Sequence, residues 1–111
     1  IRRGTLRVTK MSSLQITSRA RSDLRSIALF IIKEHSKALS KKYVDQIKEK
    51  IQLLRTFPNM GSIPKYSALS QQGFRFLSVE SHLIFYKYSP ATNLVSIHRI
   101  LHYRSAYQEF L

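Results

Sequence analysis

Residues 97–104, IHRILHYR, bring two histidines, two arginines and a tyrosine into eight positions of a chain that holds four histidines in all. Such side chains exchange protons near neutrality and neutralise anions, so the chemistries to weigh first are metal binding and acid–base cleavage of a phosphodiester. On a regular strand His98 and His102 share a face but lie about 13 Å apart, at a rise near 3.3 Å per residue. One ion cannot be reached by both. With no cysteine and no nearby pair of acids, neither a metal nor another cofactor is expected. Cleavage of RNA through its own 2′-hydroxyl needs a base, an acid and a cation at the phosphate. Arg75, Tyr86, His102, Tyr103 and Arg104 are of suitable type. The competing reading is that LHYR simply ends a sheet strand, and that His82, opening another strand, bonds a neighbouring carbonyl.

These side chains must be positioned by the elements that carry them. LQIT (14–17) alternates apolar and polar and reads as a short strand. From Ser18, taken as N-cap, to Glu34 the apolar residues Ala20, Leu24, Ile27, Ala28 and Ile31 recur at helical spacing. A second stripe of Val44, Ile47, Ile51 and Leu54 predicts a helix over 39–56, and the two should form an antiparallel hairpin joined by a tight connection. FPNMGSIP ends the helical region with proline and glycine turn chemistry. Three strands follow at 74–79, 82–88 and 93–101, linked by VESH and SPATN as a meander. SAYQEFL is either a short terminal helix or a frayed tail.

Arg75, between Phe74 and Phe76, is expected on the face opposite those rings, toward an open side of the sheet. Arg99 is out of phase with its strand: Val95 and Ile97 would carry it toward the helices unless a bulge re-phases the chain or the buried layer stops at Ile97. The expected fold class is α+β in the order β-α-α-β-β-β, with a helical hairpin on one face of a small, mainly antiparallel sheet.

At 111 residues with 43% hydrophobic content the chain is one domain's worth. No run of about 18 apolar residues occurs, so no membrane partner is expected. The absence of cysteine fits a reducing compartment, and the cytoplasm is the expected location. Residues 1–10 carry four cations and no acid. They read as an appended remnant or a leader, with the domain proper at 11–111; without their charge the net +13 falls to +9. The remaining surface predicts an acidic partner without choosing between nucleic acid and protein.

The element order and four stretches resemble the RelE/ParE superfamily of toxins from bacterial toxin-antitoxin modules: ARSDLRSIALFI, LLRTFPNMG, GFRFLSVESHLIFYKY and VSIHRILH. The RILH landmark and the SH-apolar-IFY phrase are closer to the ParE, or plasmid-stabilisation, branch. YRSA follows LH where ParE-like chains commonly continue to a Met-Asp pair. The resemblance implies a toxin held inactive by a cognate antitoxin, reaching operator DNA only through that antitoxin. When free it would inhibit DNA gyrase and arrest growth without being an enzyme. Lys41, Lys42, Lys48 and Lys50 would then face the acidic antitoxin, rather than being merely solvated. Arg75, His82, Arg99 and His102 are the target-binding candidates. The alternative implied by RelE relatives is a metal-independent, ribosome-dependent mRNA endoribonuclease. A non-toxic relative kept for antitoxin binding or autoregulation is a third possibility.

Overall fold

The computed structural model describes residues 10–110, so the segment read as a remnant or leader lies, apart from Lys10, outside the described residues. The order is β1 (Ser13–Ile16), α1 (Ser18–Glu34), α2 (Lys37–Leu53), α3 (Ser67–Gln71), β2 (Phe74–Val79), β3 (His82–Ser89), β4 (Leu94–His102) and α4 (Ala106–Phe110). The strands form one sheet in the order β1-β4-β3-β2, with β1 parallel to β4 and the other pairs antiparallel. This is the expected α+β architecture. Two one-turn helices were added to it: α3 was not expected, and α4 resolves the alternative left at SAYQEFL.

Capping explains both hairpin helices. Thr17, not Ser18, is the N-cap of α1, its Oγ1 accepting from the Ala20 N–H at 3.2 Å. Ser36 caps α2 in the same way through the Leu39 N–H, which starts that helix at Lys37, two residues before the expected 39, and it ends at Leu53 rather than 56. Each such cap contributes about 1 kcal/mol. The helix-side face of the sheet buries Ile84, Tyr86, Val95, Ile97 and Ile100 against Ala20, Ile27, Ile47, Ile51 and Leu54. Full burial of an aliphatic side chain of this size contributes about 1.5–3 kcal/mol.

The opposite face is not open. Phe74, Phe85 and Leu101 meet Leu69 of α3 and Ala106 of α4, with Phe76, Leu83 and Phe110 at the margin. Phe110 packs edge-on against both Phe74 and Phe85, at 5.0 and 4.8 Å between ring centroids.

A β-bulge settles the phase of β4. Phe85 pairs with Arg99 and Tyr86 with Ile97, leaving His98 as the extra residue. A single inserted residue turns every later side chain to the other face. Ile100 therefore joins the helix-side core, while Leu101 joins the aromatic cluster. His98 packs edge-on to Phe74, whereas His102 lies against His82 on the helix side. The two histidines of the opening stretch are thus on opposite faces.

Candidate functional site

Between the hairpin and the end of the sheet lies a groove of about 720 Å³. One wall comes from Ile27, Phe30 and Ile31 of α1, the other from Leu39, Lys42, Tyr43 and Gln46 of α2. His82, His102 and the β2–β3 turn close its end. Phe30 is 62% and Leu39 44% exposed, large apolar surface at positions outside the expected core stripe. Gln46 and Glu80 also line a second slot, of about 520 Å³, which continues past Lys50 and Leu53 along the outer edge of β2. Glu80, where the two meet, has φ 50°, a left-handed conformation that costs a non-glycine residue of the order of 1 kcal/mol.

The polar end of the groove is a short relay. Tyr43 Oη donates to the Val79 carbonyl at 2.9 Å and stands 2.6 Å from His82 Nδ1. A phenol has one proton, so His82 must donate from Nδ1, which leaves Nε2 as an acceptor. Burial, and then the neighbouring His102, hold the His82 imidazole below its ordinary pKa. Burial holds the Tyr43 phenol above its own. His102, its ring centroid 5.4 Å from that of His82, accepts at Nδ1 from the Arg104 N–H at 3.2 Å. Its neutral form therefore carries the proton on Nε2. One ring offers an acceptor and the other a donor beside an apolar trough.

The other sequence candidates are distributed unevenly. Tyr103 stacks on His102 at 4.9 Å between ring centroids, and the Arg104 Nε donates to the Tyr103 hydroxyl at 3.1 Å, so residues 102–104 do form a cluster. Tyr86 is fully buried, its hydroxyl donating to the Pro58 carbonyl and accepting from the Gly61 N–H. This withdraws it from any acid–base role with a bound substrate. Arg75 does oppose its flanking phenylalanines, but those rings occupy the aromatic face. Arg75 pairs across to Tyr86 on the helix side, and Nη1 donates to the Gly61 carbonyl at 2.9 Å. The expectation of an open-face arginine is corrected by the presence of a second core.

Arg99 is buried in an ion pair: Nε and Nη2 donate to Asp23 of α1 at 2.9 and 3.1 Å, and Glu109 of α4 lies 3.7 Å away. Hydrogen bonding to Asp23 raises its pKa further. It ties layers together rather than presenting itself to a partner. Of the α2 lysines, Lys42 lines the groove and Lys50 the slot, Lys41 pairs with Asp45 at 2.9 Å in solvent, and Lys48 is exposed. Sequence reasoning missed Phe30 and Leu39 as a surface; their place beside the core stripe, rather than in it, was the available signal. Among the described residues there is no group of three or more His, Asp or Glu able to hold a metal, and no helix long and apolar enough to cross a membrane.

The site is thus carried by a helical hairpin laid on a four-stranded sheet of order β1-β4-β3-β2. Residues 14–107 match the ParE toxin of the type II toxin-antitoxin system parDE, and the chain belongs to that family. Two of the solved structures that share its fold are toxin-antitoxin systems. One is the chromosomal ParDE toxin-antitoxin system from P. aeruginosa, with TM-score 0.70 and 21% identity, covering 85% of this chain and 98% of that one. The other is the toxin-antitoxin complex RelBE2 from Mycobacterium tuberculosis, with TM-score 0.60 and 17% identity over 83% and 98%. No curated protein sequence matches the chain.

Proposed function

We propose that this toxin, when free of its antitoxin, acts in the cytoplasm by binding DNA gyrase and stalling replication, and that it does not itself cut nucleic acid. The observation that carries this reading is the dispersal of the groups a nuclease would need. Tyr86 is enclosed by the core, and Arg75 lies four positions along β2 from Val79, the residue in line with His82 and His102, so neither joins His102 at a common phosphate. In the neutralised state an acidic, amphipathic antitoxin segment lies in the groove. Its apolar anchors meet Phe30, Leu39 and Tyr43, its acids meet Lys42 and Lys50, and Lys41 and Lys48 add long-range attraction. The antitoxin alone contacts operator DNA.

One observation favours a second reading, a ribosome-dependent mRNA endoribonuclease: His102, Tyr103 and Arg104 adjoin one another at the end of β4. The two readings separate in a paired assay of the purified chain. Supercoiling by purified gyrase is compared with mRNA integrity on translating ribosomes. Inhibited supercoiling with intact mRNA is expected; codon-phased mRNA cutting with normal supercoiling would reject the gyrase reading. Replacing His102 by Ala should then change stability more than toxicity.

A further inference from the structure

The loop 57–66 joins α2 to α3 and shows a three-residue alternation that has no part in the groove. Phe57, Met60, Ile63 and Tyr66 are 57%, 42%, 61% and 47% exposed, while Gly61 and Pro64 between them are buried and Pro58 is half-buried. The inward set is fastened from below. The Tyr86 hydroxyl bonds both the Pro58 carbonyl and the Gly61 N–H, Arg75 bonds the Gly61 carbonyl, and Ser62 exchanges two backbone hydrogen bonds with Phe76. The approach at Gly61 is so close that a Cβ there would lie 2.6 Å from Tyr86 Oη and 2.9 Å from the Phe76 carbonyl oxygen. A loop held in this way presents its apolar side chains with little ordering left to do on binding.

The sequence on either side of it is one-sided in charge. From Lys50 to Val79 the chain contains Lys50, Arg55, Lys65 and Arg75 and no Asp or Glu. None of the loop residues lines the groove or the slot.

We propose that loop 57–66 is the surface by which the free toxin grips its target, a folded protein with an acidic rim around apolar recesses. The proposal rests on the toxin reading but not on which target is correct. The shape of each surface assigns the occupants: projecting anchors on a rigid loop suit a preformed recess, whereas a trough suits a flexible amphipathic segment. A second copy of the chain would bring an equally basic surface against this one, which like-charge repulsion opposes.

The test is growth arrest on induction of the full chain, a readout blind to whether gyrase or the ribosome is hit. The double variant Phe57→Ser/Ile63→Ser should need at least about tenfold more toxin to halve the growth rate, as expected on losing central anchors. Its thermal midpoint should stay within a few degrees of the parent, because both side chains are exposed. Tyr86→Phe keeps the exposed surface and cuts the fastening, and should give a smaller loss of the same kind. A control on the exposed face of α1, Leu29→Ser, 65% exposed and outside both groove and slot, should arrest growth like the parent. Loop variants that arrest growth as the parent does, or a parent dimer in sedimentation that the double variant dissolves, would overturn the proposal. A folded parent that leaves growth untouched would instead remove the toxin reading, and the proposal with it. Binding of labelled chain to purified gyrase and to purified ribosomes then identifies which affinity the loop carries.

Discussion

The helix-side face of the sheet is sealed by two helices of 17 residues each and a continuous aliphatic layer, whereas the opposite face is covered by two helices of 5 residues, an aromatic cluster and the Asp23–Arg99–Glu109 charges. On the first face many contacts share the load, so order is distributed. On the second, α4 is too short to hold itself together and depends on what Phe110 and Arg99 reach. The difference teaches where the molecule can yield without unfolding: the C-terminal helix can leave at small cost, but the hairpin cannot.

The contrast is tested most severely by Arg99→Ala. It leaves the Asp23 carboxylate, part-buried at the sheet edge, without its main partner, and about 3–5 kcal/mol of stability should be lost in urea unfolding. A loss below about 1 kcal/mol would mean that the ion pair does not hold the layers together. Next, Ile84→Ala, on the helix side and fully buried, should cost about 2–4 kcal/mol. Phe110→Ala should cost less than about 1.5 kcal/mol while raising hydrogen exchange in β3 and α4, the signature of local opening. Equal losses from these two variants would erase the distinction between the faces.

A smaller effect comes from pH, because one histidine on each face has a lowered pKa. Burial is the main cause for both, followed by His102 for His82 and Lys87 for His98. In the window between the ordinary value near 6.5 and the lower folded values, the unfolded chain binds more protons. Stability is therefore full above that window and falls as pH drops through it. The thermal midpoint at pH 5.5 should lie below that at pH 7.5, with the difference reduced in His82→Gln and again in His98→Gln. Both rings are only half-buried, so solvent screening keeps each contribution small. Smallest of all, Lys41→Ala removes an exposed pair and should shift unfolding by less than about 0.5 kcal/mol.

The hairpin and the three-stranded meander were legible because their apolar spacing repeats over many residues. HLIFYKY, apolar on both phases, was placed mid-sheet, as the register confirms. What escaped was short or long-range. SALSQ spans too little to show a period. Arg75 was set opposite its phenylalanines correctly, but nothing local revealed that those rings would be covered. The phase conflict at Arg99 was visible and named the bulge as one of two solutions. Only pairing with Phe85 and Tyr86 chooses it. Tyr86 looked like a chemical candidate because residue type is blind to depth.

Asp23 has a second role beyond its arginine. β1 covers β4 only as far as Ile97, and past that point the flank of the sheet is filled by side chains: Thr17 Oγ1 donates to the His98 carbonyl, and the Asp23 carboxylate accepts from the Ile100 N–H at 2.9 Å. A bare strand flank is a template for another chain, and a fixed negative charge bonded to its amide occupies the place that an incoming carbonyl would need. In Asp23→Ala that guard is gone, and the variant should self-associate through the β4 flank into sheet-rich aggregates at concentrations where the parent stays in solution.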